Sequence, residues 1–217
     1  MMWYLGIGVI LAWVLFDRFR RRYINPYKLY LIFGAKGGGK TTMLVKQALA
    51  YIKLGWAVYT NIEDINIPGV RVINADDIGD FVPEEDSLLI LDEVGMLYDN
   101  RDFKNFRPQV RDFFKLQRHY RVVCFMASQT FDVDKKLRDL CDGMWLCTCF
   151  MDVFSLCRPI VKKVVLTEAT GDGESRVSEN LHFVPFWNWK LTYIPKYAQY
   201  FDSHAVPEKP LLAYDER

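Results

Sequence analysis

Residues 29–42 read LYLIFGAKGGGKTT, and their reading decides the fold. The apolar run Leu29-Tyr30-Leu31-Ile32-Phe33 predicts a short β-strand. Gly34-Ala35-Lys36-Gly37-Gly38-Gly39-Lys40-Thr41 then fits the phosphate-loop pattern G-x-x-x-x-G-K-[ST] at every fixed position. Met43, Leu44, Gln47, Ala48 and Tyr51 follow at the spacing of one helix face. Glycines let consecutive backbone N–H groups turn inward around phosphate oxygens, and the helix N-terminus adds partial positive charge. In this pattern Gly34, Gly37, Gly38, Gly39 and Thr42 shape the cradle. Lys40 reaches the β- and γ-phosphates, and the Thr41 hydroxyl ligates Mg²⁺. A mere glycine-rich turn is the bland alternative. With glycine at about 7% of average composition, a chance match in a chain this long is roughly a one-per-cent event.

Downstream, Leu88-Leu89-Ile90-Leu91-Asp92-Glu93 is the second chemical landmark. Four aliphatic residues in a row predict a strand buried on both faces, as in a parallel sheet. Asp92 and Glu93 fall just past its carboxyl end, where open α/β sheets place ligands. Asp92 suits the Mg²⁺-holding carboxylate of a nucleotide site. Glu93 is placed to polarise an attacking water. Alone this run is weak evidence; behind a phosphate loop it is strong.

A further buried strand is expected at Val122 to Ala127, ending in Ser128-Gln129. Gln129 can sense the γ-phosphate if this strand lies between the two motif strands. Between the landmarks and this strand, Asp99 to Tyr120 mixes Phe103, Phe106, Phe113 and Phe114 with Arg101, Lys104, Arg107, Arg111 and Lys115. Such interleaving permits a single-stranded nucleic-acid surface. The favoured reading is a helix opened by Pro108 that packs its phenylalanines into the sheet. Asp134 to Cys141 reads as a short helix carrying Arg138, and Met144 to Phe154 as a strand. Lys162 to Ala169 and Arg176 to Phe183 flank Gly171-Asp172-Gly173, a hairpin signal. The closing segment, with Pro185, Phe186, Trp187, Trp189, Tyr193, Tyr197, Tyr200 and Phe201, has no regular period.

Upstream, Met1 to Phe16 reads MMWYLGIGVILAWVLF without a charge. As a helix it rises roughly 24 Å, against a hydrocarbon core of about 30 Å. Continuation through Phe19 with snorkelling arginines closes the gap. No positive charge precedes it and no small-residue cleavage site follows, which excludes a signal peptide. Arg18, Arg20, Arg21 and Arg22 come next, so the expectation is a single-pass anchor with the N-terminus outside. The net charge of +1 over 217 residues carries no overall nucleic-acid signal. Five cysteines, all beyond position 120, lack paired zinc spacing and predict buried, reduced thiols.

Taken in order, the phosphate loop, Thr60-Asn61-Ile62, Asp92-Glu93, Arg118-His119, Ser128-Gln129 and Val133 to Leu140 resemble the zonular occludens toxin (Zot-like) family of filamentous-phage assembly and export ATPases. The resemblance covers roughly residues 29–148. It implies an α/β P-loop NTPase with a RecA-like core of the additional-strand type, related to FtsK/HerA motors. In such cores Glu93 matches the catalytic glutamate, Gln129 the sensor, and ATP with Mg²⁺ the ligands. Arg118 is the candidate charge-stabilising arginine, acting on a neighbouring subunit, with Arg138 as second choice. The resemblance further implies the host inner membrane as location, a homo-oligomeric ring such as a hexamer, and phage coat or secretion and pore proteins as partners. Better-known members carry their membrane segment after the ATPase domain, whereas here the apolar segment comes first.

These readings divide the chain into an anchor (1–22), an ATPase domain (23–160) and a β-hairpin with aromatic extension (161–217). The expected function is a membrane-anchored ATP-hydrolysing motor for virion assembly and extrusion. A DNA-translocating packaging or conjugation ATPase shares the same core, and DNA-stimulated turnover separates the two. A nucleotide-binding membrane scaffold without turnover is the third reading. ATP is preferred over GTP because no [NT]-K-x-D motif follows the second motif strand.

Overall fold

The structure, a computed structural model, describes residues 2–98, 107–131, 133, 135–167 and 176–202. The elements run α1 (Met2–Arg21), β1 (Leu29–Phe33), α2 (Lys40–Lys53), β2 (Ala57–Thr60), β3 (Val70–Val72), β4 (Ser87–Leu91) and α3 (Val94–Leu97). They continue with α4 (Pro108–Leu116), β5 (Val122–Ser128), α5 (Lys135–Leu140), β6 (Gly143–Phe150), β7 (Phe154–Thr167), β8 (Arg176–Phe183), β9 (Lys190–Tyr193) and α6 (Pro195–Ala198).

Among the described residues the strands form one sheet in the order β3-β2-β4-β5-β1-β6-β7-β8, with β9 also paired to β7. The strands from β3 to β6 are parallel, and β7 to β9 are antiparallel additions. The aliphatic run of β4 is fully buried because its alternate side chains enter two cores. Leu89 and Leu91 face α4 and α5 with Val110, Phe113, Phe114 and Leu137. Leu88 and Ile90 face α2 with Met43, Leu44 and Val45. Each such side chain contributes about 2 kcal/mol of transfer free energy, an upper value because the unfolded chain is itself partly compact.

The interposed strand is as the sequence requires. β5 pairs with β4 on one side, Leu91 opposite Met126, and with β1 on the other, Phe33 opposite Ser128. This is the additional-strand arrangement of a P-loop NTPase sheet. Phe113 and Phe114 are buried in the core, so α4 packs its phenylalanines into the sheet. Phe103, Phe106, Arg101 and Lys104 lie outside the described residues, as do Asp134 and the Gly171-Asp172-Gly173 turn. β7 and β8 pair as the expected hairpin. The hairpin continues the main sheet, since β7 runs through the expected division at residue 160.

Two expectations need correction. Among the described residues no helix is long and apolar enough to cross a membrane. The apolar run of α1 spans Met2–Phe16, about 22 Å of helix rise against a hydrocarbon core of about 30 Å, and Asp17 with the arginines follows at once. The expected transmembrane anchor is therefore not borne out, although Ile7, Val9, Leu11, Trp13, Leu15 and Phe16 are all exposed. The cysteines are not all reduced either: Cys147 and Cys157 form a disulfide. The antiparallel register of β6 and β7 sets these two directly opposite each other, a relation that sequence spacing does not display.

Candidate active site

β1 ends at Phe33 and the chain turns sharply into the loop 34–39 before α2 begins at Lys40. The loop leaves no room for side chains on its inner glycines. A Cβ on Gly34 would sit 2.1 Å from the Cys147 carbonyl oxygen, and one on Gly39 would sit 2.5 Å from Ser155 Cβ. Gly39 also holds φ 80°, a left-handed conformation that favours glycine. Lys40 is buried, and its Nζ donates to the Gly34 carbonyl at 2.9 Å and the Ala35 carbonyl at 3.2 Å. The ammonium is thereby held over the loop whose N–H groups and helix N-terminus attract anions.

The opposite wall comes from β4 and β5. Thr41 Oγ1 donates to Asp92 Oδ2 at 2.8 Å, and Asp92 Oδ1 accepts from the Glu93 N–H at 2.9 Å. Gln129 Nε2 donates to Glu93 Oε1 at 2.8 Å. Glu93 itself sits at φ 53°, a left-handed backbone that costs a non-glycine residue on the order of 1 kcal/mol or more. Strain of this kind concentrates where side-chain aim matters more than stability. Asn61, just past β2, brackets Asp92 from both directions. Its Nδ2 donates to the Asp92 carbonyl at 3.0 Å, and its Oδ1 accepts from the Asp92 N–H at 2.7 Å.

Together these groups line a cleft of about 360 Å³, formed by Lys36, Gly37, Gly39, Lys40, Thr41, Thr42, Asp92, Glu93 and Gln129 together with Ile62, Asp64, Ile194, Ala198, Phe201 and Asp202. Gly34 and Gly38 do not line the cleft but lie close to the Cys147 carbonyl. The fold family implies a divalent cation here. Thr41 and Asp92 present two hard oxygen donors in contact, the chemistry Mg²⁺ takes, so the residues fit that ion.

Arg118 does not join them. It precedes the start of β5 while Gln129 follows its end, and a strand of 7 residues separates the two by roughly 23 Å. Within one chain the arginine lies at the wrong end of the sheet to touch the cleft. Arg138 is occupied locally: its Nη1 donates to the Phe131 carbonyl at 2.7 Å, with the guanidinium 4.2 Å from the Phe131 ring centroid.

Several residues escaped the sequence reading. Ser155 on β7 is fully buried, and its Oγ lies within hydrogen-bond distance of the Gly38 and Gly39 carbonyls, at 3.1 and 3.3 Å. No local signal marks it, because β7 reaches the loop only through sheet topology. The C-terminal residues of the cleft are hidden for the same reason. Lys36 and Asn61 were visible inside quoted motifs, Lys36 at a variable position and Asn61 with no role assigned.

Comparison with known proteins adds the following. Residues 26–156 match the family model described as an AAA domain. No curated protein matches the chain. Among solved structures, the N-terminal domain of zonular occludens toxin from Neisseria meningitidis is similar at 17% identity. It covers 81% of this chain and 99% of that one, with a TM-score of 0.50. The DNA-packaging ATPase B204 from Sulfolobus turreted icosahedral virus is similar at 11% identity, over 73% of this chain and 100% of that one, with a TM-score of 0.47.

Proposed function

The chain belongs to the AAA domain family, and from that premise we propose that it is an ATP-hydrolysing motor serving virion assembly and extrusion in a filamentous phage. One observation carries the hydrolytic part: Glu93, the residue beside the metal-type Asp92, is held by Gln129 at 2.8 Å from the strand interposed between the two motif strands. A carboxylate so placed takes a proton from the attacking water, and its partner amide reports whether the γ-phosphate is present. Thr41 and Asp92 would hold Mg²⁺, which would supply charge neutralisation to the phosphate oxygens. Lys40 and the loop N–H groups bind and orient the phosphates. The same set argues against a scaffold that binds ATP without turnover.

The phage assignment is supported by the ordered Zot-like pattern in the sequence together with a fold like that of the zonular occludens toxin domain. Location at the inner face of the host cytoplasmic membrane is supported by the exposed apolar residues of α1 and the arginines that follow. Arg118 acts across a subunit boundary in a homo-oligomeric ring, because it cannot reach its own cleft. Coat or secretion proteins are the partners of this reading; single-stranded DNA is the cargo of its rival.

The decisive experiment is phosphate release by the full chain. Glu93→Gln is expected to lower it about 10²–10³-fold while ATP binding persists. Turnover of the variant at the wild-type rate overturns the role of Glu93. Strong stimulation by single-stranded DNA, with steep salt dependence, favours DNA translocation instead.

A further inference from the structure

We infer that the segment 194–202 forms the nucleobase wall of the cleft, making the aromatic C-terminal part of the chain a component of the nucleotide site. This rests on the nucleotide reading of that cleft and adds to it the subsite for the base. The lining of the cleft falls into two chemical sets. One consists of lysines, loop residues and the Asp92–Glu93 pair. The other is apolar, Ile62, Ile194, Ala198 and Phe201, with Asp64 and Asp202 close to them in the sequence. A nucleoside triphosphate has the same two parts: anionic phosphates and a flat aromatic ring.

The segment is held in place from three directions. β9 pairs with β7, setting Thr192 opposite Ser155, the residue in contact with the loop carbonyls. Lys46 Nζ on α2 donates to Thr192 Oγ1 at 3.0 Å. Beyond α6, the Asn66 N–H donates to the Tyr200 carbonyl at 2.8 Å, and Phe201 bridges Ile65. Phe201 packs against the buried cluster around Leu44 while still lining the cleft. A half-buried ring anchored on the core and open to a cleft is pre-organised to stack on a base, since it loses little freedom on binding. Stacking of this kind is sequence-tolerant and worth about a tenfold change in affinity or more. The carboxylates accept hydrogen bonds from ribose hydroxyls or ring amino groups.

The test compares calorimetric binding of Mg·ATP and Mg·tripolyphosphate to the full chain, in wild type, Phe201→Ala and Phe201→Trp. Wild type is expected to bind ATP at least tenfold more tightly than tripolyphosphate. Phe201→Ala removes about tenfold of that advantage and leaves tripolyphosphate affinity within twofold, which also shows that the variant is folded. Phe201→Trp keeps the advantage. Equal binding of the two ligands by wild type, or an unchanged ratio in Phe201→Ala, overturns the inference. ATP that binds with this preference but is never hydrolysed overturns the motor reading and leaves the base wall standing. A wild-type chain that binds neither ligand overturns both.

Discussion

Gln129 Nε2 donates to Glu93 Oε1 at 2.8 Å, although the two residues lie 36 positions apart on the ends of neighbouring parallel strands. The bond fixes a carboxylate whose backbone is left-handed and so would otherwise be free to relax. Gln129→Ala is therefore expected to lower kcat for ATP about 10–10²-fold and to leave ATP binding within twofold. Steady-state kinetics beside equilibrium binding separate the two quantities. A rise in KM at constant kcat would show that Gln129 binds ligand rather than positioning Glu93.

Ser155 and Gly39 form a second pair that sequence distance conceals. Their close approach predicts that Gly39→Ala, which meets Ser155 Cβ at 2.5 Å and Oγ at 2.6 Å, abolishes nucleotide binding. The double variant Gly39→Ala/Ser155→Gly relieves the clash but not the left-handed backbone, so binding returns only in part. Ser155→Ala alone removes one buried hydrogen-bonding group and costs about 1 kcal/mol of stability. Thermal melts and ATP titrations of wild type, Gly39→Ala, Ser155→Gly and the double variant form a cycle; strict additivity in it would contradict direct contact.

The cysteines give a labelling prediction. Cys149 is exposed, while Cys124 and Cys141 lie within the fold. Burial pushes the Cys141 thiol up to about 12 and holds Cys124 well above its ordinary range. Thiolate is the reactive form, so a maleimide at pH 7 modifies Cys149 first and the other two only slowly. Cys147 and Cys157 are both buried and disulfide-bonded, so they label only after reduction of the unfolded chain. Peptide mass analysis checks the order, and rapid labelling of Cys147 without reductant would exclude its pairing with Cys157.

At the opposite end of the sheet, Asp86 accepts hydrogen bonds from the Tyr27 hydroxyl and from Arg121. The Tyr27 hydroxyl first, and Arg121 with it, hold the Asp86 carboxyl below its ordinary value of 3.8. A depressed carboxylate stabilises the fold above its unfolded pKa, and that stabilisation is lost as pH falls through the folded value. Asp86→Asn is thus expected to lower Tm by about 1–3 °C at pH 7. The deficit stays constant down to about pH 5 and shrinks below the ordinary carboxylate pKa. A deficit that grows on acidification would assign the effect to packing instead.

Much of this molecule was legible in single stretches. LYLIF followed by GAKGGGKTT specifies strand, loop and helix because each residue's backbone preference and periodicity act over a few neighbours. The LLIL run announces a strand buried on both faces, since no half-exposed strand tolerates four aliphatic residues in succession. Phe113 and Phe114 fell on a packing face for the same reason. Arg118 was expected to act on a neighbouring subunit; an extended strand of 7 residues separates it from Gln129 within one chain.

What the sequence by itself determined was the make-up of the candidate site: loop, lysine, threonine, paired acids and the glutamine after β5, each written in local pattern. Tertiary structure alone decided that Cys147 faces Cys157, that Ser155 backs the phosphate loop, and that residues 194–202 close the cleft. Those relations depend on strand register and on which buried faces meet. They are settled by the joint burial of distant segments, a collective free energy that no single stretch of chain contains.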